Sequence, residues 1–394
     1  MLRSSMPTVA LLCGVALAGG TAPAAASSYK VLYRFQSGND GSHPQAGVIN
    51  VGGTLYGTTY FGGPSNSGTV FAVNPTTGAE TVVYALKGGL GSSDAEAPYA
   101  GLLSVGGTLY GTAEFGGGGS GAVFAVDPLT GAETVVYGFH KKHHGAEPLA
   151  SLIKVGGALF GTTLYGGIPG PGVVFALNLK KGRERVVHSF QLSPSDGAEP
   201  YASLIKVGSE LYGTSSIGGG TGCSGNVGCG TVFALNPHSG VTKVLYAFQG
   251  GEDGYYPHAS LLNIGGTFYG TTYNGGASGY GTVFSVNQAT GAETVMHSFA
   301  SGKDGANPDA NLISLGGKLY GTTSQAGAFG YGTVFDVDLA TGAEKVLYSF
   351  QGGKDGFDPE AALLDVGGTL YGTTRSGGSS NCGYGCGTVF SFTP

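Results

Sequence analysis

Leu55-Tyr56-Gly57 returns along the chain as Leu109-Tyr110-Gly111, Leu159-Phe160-Gly161, Leu211-Tyr212-Gly213, Phe268-Tyr269-Gly270, Leu319-Tyr320-Gly321 and Leu370-Tyr371-Gly372. Successive copies start 54, 50, 52, 57, 51 and 51 residues apart. A near-constant period of this size marks a repeat array. Working outward from the triplet, each unit carries four short runs rich in β-branched and aromatic residues. They read A-x-L-I, L-Y-G-T-T, G-T-V-F and V-L-Y-x-F, and unit five shows them cleanly between Val244 and Phe284. Gly, Pro, Asn and Asp separate the runs, so they are strands bounded by turns. No stretch beyond the first 26 residues keeps a 3.6-residue apolar period, and no helix is expected there.

We letter the strands A to D from the centre outward, in the order just given. Seven such units predict an all-β fold, a seven-bladed β-propeller of four-stranded antiparallel blades. A solenoid would need atypical, polar capping units at its ends. The chain has none. Val31-Leu32-Tyr33-Arg34-Phe35 is an isolated D run, and the last segment, Gly387 to Pro394, stops where the C–D turn begins in other units. Strand 31–35 is therefore expected to complete the last blade against residues 387–392 and to leave no open edge. Six intact C–D turns run from Asn74, Asp127, Asn178, Asn236, Asn287 and Asp338 to Gly78, Gly131, Gly182, Gly240, Gly291 and Gly342. In each, Asn or Asp starts the turn and Gly supplies the left-handed position. In this arrangement the D–A and B–C loops share one rim, and the A–B and C–D loops share the other.

Residues 1–26 carry Arg3, an apolar run from Val9 to Ala18 and Ala24-Ala25-Ala26, the layout of a secretory signal peptide. Cys13 falls inside that run and is expected to leave with it. Residues 27–394 then form a single propeller domain. No further run is long enough for a transmembrane helix. Loss of Arg3 moves the formal charge from −6 to −7, and only 11% of residues are charged. Such a surface suits neutral glycans or protein partners and is a poor nucleic-acid footprint. Gly makes up 78 of 394 residues, yet 41% are hydrophobic, which argues against disorder. Exported, secreted or periplasmic, with cell-surface association a further option, is the expected location, and a monomer the expected state.

Four cysteines follow the leader, Cys223, Cys229, Cys382 and Cys386, and both pairs precede a G-T-V-F strand. A four-Cys metal site is one reading. The pairs sit three blades apart, however, which favours two local disulfides in an exported protein. His140, His143 and His144 flank two lysines, and a solvated loop is favoured over a metal site. Gly116 to Gly121 lacks the Lys and the helix of a phosphate loop. Asp40, Asp94, Asp196, Asp253, Asp304 and Asp355 each lie four residues before a Pro, with His144 in that place in unit three. A ring of carboxylates could hold Ca²⁺, but near-perfect repetition favours turn-capping Asp. No cofactor and no metal are expected.

Function should sit where the sevenfold pattern breaks. The residue after the recurring Pro varies: Gln45, Tyr99, Leu149, Tyr201, His258, Asp309 and Glu360. Tyr255, Tyr256, Phe357 and B–C loop aromatics such as Tyr60, Phe61, Phe115, Tyr165, Tyr273, Phe329, Tyr331 and Tyr384 vary nearby. Tyr99, Tyr201, Tyr255, Tyr256, His258, Asp309 and Glu360 are the candidate ligand-binding set. The repeated Tyr56, Tyr110, Tyr212, Tyr269, Tyr320 and Tyr371 read as packing residues with bonded hydroxyls.

The composite motif Gly-Gly-x-Leu-Tyr-Gly-Thr-Thr, Gly-Gly, (Cys)-Gly-Thr-Val-Phe resembles the GloVer tandem-repeat family of bacterial exported proteins across residues 31–394. The resemblance implies export and a propeller-like repeat, and no particular activity. It also implies a surface anchor, which this sequence does not display after strand C of the last unit. Two function classes follow. The first is a binding module for a glycan or an extracellular protein. The second is a polysaccharide lyase or hydrolase on the same rim, with His258, Asp309 and Glu360 as acid and base. No nucleophile elbow, zinc motif or triad spacing supports the second.

Overall fold

A computed structural model describes residues 28–89, 92–140, 143–220, 222–223 and 227–394. The expected signal peptide, 1–26, lies outside the described residues. Seven four-stranded antiparallel sheets are present. Blade 1 is typical: Ile49–Val51, Thr54–Thr59, Thr69–Val73 and Glu80–Ala85 pair in that order. Blade 7 takes Leu364–Val366, Thr369–Thr374 and Thr388–Thr393 from the end of the chain and Ser28–Arg34 from its start. Ser28 pairs with Thr393 and Arg34 with Thr388, so the ring closes as the split hairpin predicts. The closing strand starts three residues earlier than expected, because Tyr29 stacks on Tyr348 at 4.1 Å. No α-helix occurs among the described residues, and none there could cross a membrane.

The motif Leu-Tyr-Gly-Thr-Thr divides its labour residue by residue. Leu55 and its counterparts are fully buried in the blade core. Gly57 pairs with Phe71 of strand C, and a Cβ on it would lie 2.5 Å from the Phe71 ring. The position must be Gly because the strand C Phe lies over it in every blade. Thr58 Oγ1 donates to Ala100 O of the next blade, and Thr112, Thr162, Thr214 and Thr373 repeat the bond, the last to Ala46 O at 3.0 Å; Thr322 reaches Pro359 O instead, and Thr271 Oγ1 has no partner. Thr59 Oγ1 meets Thr69 Oγ1 at 2.8 Å within the blade. Burial and close packing supply most of the stabilisation, and the threonine bonds set the spacing between blades.

Every C–D pair carries a register shift, at Val70/Phe71 in blade 1 and at Val31/Tyr33 in blade 7. The extra residue pushes its carbonyl towards the neighbouring blade, a usual effect of a β-bulge. Leu32 O thereby comes so near Gly78 (φ +73°) that a Cβ there would sit 2.5 Å from it. The C–D turn thus needs Gly for its conformation and for its neighbour. Phe35, at the end of the closing strand, is fully buried and packs on Phe71 at 5.0 Å.

Two expectations need correction. Strand A is the I-x-V segment, for example Ile153–Val155, and the Ala-x-Leu before it runs as irregular chain into the channel wall. Among the repeated tyrosines, only Tyr212 has a side-chain partner at its hydroxyl, Gln288 Nε2 at 2.8 Å. The rings pack between blades as expected, with Tyr212 and Tyr320 buried and Tyr56, Tyr110, Tyr269 and Tyr371 half-buried.

Candidate functional site

In each blade the D–A loop bridges the B–C loop, as Ser42 does with Phe61 and Tyr255 with Asn274. The two loop sets therefore form one rim. The recurring Pro fixes how each loop enters strand A, and the residue before it is left-handed in all seven blades. These residues are His43, Ala97, Glu147, Glu199, Tyr256, Asn307 and Asp358, with φ between 52° and 61°. That conformation is unfavourable for a residue preceding Pro. Two backbone bonds hold it: Asp358 N donates to Tyr331 O and Arg375 N donates to Asp358 O. The turn aims the residue after Pro at the axis.

All seven variable residues after Pro line one central cavity of about 220 Å³. Two residues further on, its wall is made of small side chains, with Gly47 so close to Ala362 O that a Cβ would come within 2.5 Å. The channel is therefore narrow, and chemistry concentrates at its mouth. Tyr201 O–H donates to Tyr99 Oη across the mouth. Tyr201 stacks on His258 with ring centres 4.7 Å apart, and His258 Nδ1 meets Asp309 Oδ1 at 3.1 Å. Burial, then the Glu360 carboxylate, pushes the Tyr99 hydroxyl up, and burial likewise raises Tyr201.

Glu360 stands beside Arg375 Nη1 at 3.3 Å, and the same nitrogen is 3.5 Å from Asp358 Oδ2. Burial pushes Glu360 up to about 8; Asp358 adds to the rise and Arg375 opposes it. The shift makes this carboxyl easier to protonate near neutral pH than a free glutamate. A recess of about 380 Å³ opens beside it, lined by Gln45, Tyr60, Phe61, Tyr99, Glu360 and Arg375. Two carboxylates and a guanidinium at a channel mouth can bind polar groups or move a proton.

Of the candidate set, Tyr99, Tyr201, His258, Asp309 and Glu360 meet at the mouth. Tyr256 lies at its edge, its ring 6.1 Å from His258. Tyr255 turns away and packs against the core around Phe248 and the Cys223–Cys229 disulfide. The two neighbouring rings meet edge to face at 5.0 Å, so Tyr255 also supports Tyr256 from the core side. Sequence reasoning passed over Arg375 and Asp358. The signal was available, since the residue after L-Y-G-T-T is elsewhere Tyr60, Glu114, Leu164, Ser216, Tyr273 or Ser324, and only here Arg.

Both disulfides close within their own B–C loops, Cys223 to Cys229 and Cys382 to Cys386. The recurring Asp residues lie at the outer seams, away from the channel. Asp40 accepts from Gln36 N at 2.9 Å and from Tyr33 O–H at 2.7 Å, and Asp253 and Asp355 repeat the pattern. They cap the loop and lock it to strand D, as the turn reading holds. His144 does not simply face solvent: its Nδ1 meets Glu184 Oε2 at 2.8 Å, in the seam position that Asp fills elsewhere. His297, Asp304 and Glu344 bring three donor atoms within 4.8 Å of one another, a set that could hold a metal ion. Hydrogen bonds to Asp304 from His297, at 3.3 Å, and Ala300 N, at 2.6 Å, also account for it.

A family model described as Gloeobacter/Verrucomicrobia repeat matches residues 21–227 and 219–390. No curated protein matches the chain. Among solved structures, an oligogalacturonate lyase in complex with manganese aligns at 12% identity and a TM-score of 0.53, covering 93% of this chain and 96% of that one. The extracellular domain of a one component system from B. thetaiotaomicron aligns at 9% identity and a TM-score of 0.59, over 91% of this chain and 39% of that one. At these identities the likeness is one of fold.

Proposed function

The chain belongs to the Gloeobacter/Verrucomicrobia repeat family, and on that premise we propose an exported, monomeric binding module that recognises a glycan or extracellular protein on its D–A and B–C rim. One observation carries the reading. Phe61, Phe115, Tyr165, Tyr280, Phe329, Tyr331 and Tyr384 are the exposed aromatic side chains among the described residues, and all come from B–C loops. Among the described residues the opposite rim exposes Leu129, Val241 and Val366 and no Phe or Tyr ring. Aromatic faces left in water on one side of a molecule mark a contact surface. The two disulfides stiffen loops of the same rim, which lowers the ordering cost of binding, and they suit an oxidising compartment.

The second reading, a polysaccharide lyase or hydrolase, draws on one specific observation. Glu360, whose carboxyl burial pushes up to about 8, lies at the same mouth as the His258–Asp309 pair, which is equipment for acid–base work.

The test is a panel of immobilised polysaccharides and secreted proteins probed with the intact protein. Substitutions Phe61→Ala, Phe115→Ala and Tyr201→Ala on the rim should weaken retention of any ligand found. Leu129→Ser and Val241→Ser, exposed on the other rim, should not. Loss of retention only from the Leu129 and Val241 changes would reject the rim. Product release from oligogalacturonate or other polysaccharides, abolished by Glu360→Gln, would select the enzyme.

A further inference from the structure

We infer that the rim carries a second, built site, distinct from the channel mouth: a groove between the B–C loops of blades 6 and 7 that binds a uronic-acid-containing oligosaccharide. The inference rests on the rim reading and adds a place and a ligand class to it.

The groove encloses about 1060 Å³, room for several sugar rings. Its walls are aromatic. Tyr384 is 80% exposed on the loop closed by Cys382–Cys386, and Tyr331, 41% exposed, faces Phe357 with ring centres 5.3 Å apart. A flat ring kept in water on a disulfide-closed loop offers stacking area at low entropic cost. Pyranose rings present the matching C–H faces.

One end of the groove is cationic. Arg34 Nε donates to Lys354 O at 2.8 Å, which anchors the guanidinium stem. Among the described residues neither Arg34 nor Lys354 joins an ion pair. Of the nearby carboxylates, Asp358 on the groove wall is engaged by Arg375, and Asp355, next to Lys354 in the chain, accepts from Tyr348 O–H and Gln351 N. Stacking faces beside two cations outside any ion pair fit a sugar carrying a carboxylate, since Arg reads that group with a planar fork of donors. A neutral sugar would leave the cations unused, and a nucleic acid would meet a chain of net negative charge.

The test uses matched probes. Hexamannuronate and mannohexaose share ring and linkage and differ in the carboxylate; hexagalacturonate and a hyaluronan hexamer widen the uronate class. Calorimetric titration of the intact protein should give at least tenfold tighter binding for one uronate probe than for mannohexaose. Added salt should weaken it. Tyr384→Ala should cost about fivefold or more, and Arg34→Gln with Lys354→Gln should erase the preference for the acidic probe. Both sites of change are exposed, so unaltered melting curves will show that the fold is intact. Failure of all three uronates to bind, or equal binding of mannohexaose, overturns the inference. Uronate binding that survives these changes but is lost with Phe61→Ala and Phe115→Ala places the ligand elsewhere on the rim and overturns the groove alone. Loss only with Leu129→Ser and Val241→Ser overturns groove and rim together.

Discussion

The hydroxyls of Tyr99 and Tyr201, 102 residues apart, hydrogen-bond across the mouth of the central channel. The bond joins blades 2 and 4 and passes over Leu149 of blade 3. It narrows the entrance and holds the stacked His258 in place, so the mouth is organised before any ligand arrives. Tyr201→Phe removes the donor and leaves the half-buried Tyr99 hydroxyl without its protein partner. The expected cost is about 1–2 kcal/mol, read as a lower denaturant midpoint at unchanged slope. No change in midpoint would mean that the bond contributes nothing net.

Ring closure depends on a short N-terminal strand. Phe35 is fully buried against Phe71, so Phe35→Ala should destabilise by about 3–5 kcal/mol. Removing residues 28–35 should do more, because it bares the edge of Thr388–Thr393 and invites association between chains. Light scattering alongside thermal melting checks both. Wild-type melting of the truncated chain would contradict the closure described here.

The outer seams predict an unusual pH profile. Burial, then a neighbouring Asp, pushes Glu80, Glu133 and Glu293 up to about 7 and Glu344 up to about 8. A carboxyl raised in the folded state costs nothing below its unfolded value near 4.5. Its penalty grows as pH rises from the unfolded to the folded value and is constant above that. Stability should therefore fall between about pH 4.5 and pH 8. Glu344→Gln should recover on the order of 1 kcal/mol at pH 9, after allowance for solvent screening, and change little at pH 4. Urea midpoints at the two pH values give the answer, and a gain at pH 4 alone would reverse the sign.

Gly270 faces Phe284 so closely that a Cβ would lie 2.6 Å from the ring. Gly270→Ala must displace that Phe and is expected to cost about 1–3 kcal/mol. Phe284→Leu in the same chain should recover part of the loss. A double-mutant cycle on melting measures the coupling, and simple additivity would show that the contact is not what demands Gly.

Much of the molecule was legible before the coordinates. Blade number, strand order and closure are written in consecutive residues, through turn chemistry, two-residue alternation and the period of Leu-Tyr-Gly. The pairing within Cys223–Cys229 and Cys382–Cys386 was legible for the same reason: each pair shares a loop. Less legible were groups that act across blades. Glu184 and His144 are 40 residues apart and meet only because strand D of one blade leans on the next.

By itself the sequence determined a closed seven-bladed ring and the one position per blade that escapes the repeat, because backbone pairing and turn geometry are local. Only the tertiary structure decided what those positions do together. It set Tyr201 on Tyr99, His258 on Asp309 and Arg375 beside Glu360, and it packed Tyr255, half-buried, against the core. These outcomes depend on how seven left-handed turns aim their side chains at a common axis. That angle belongs to the closed ring as a whole and appears in no single stretch of residues.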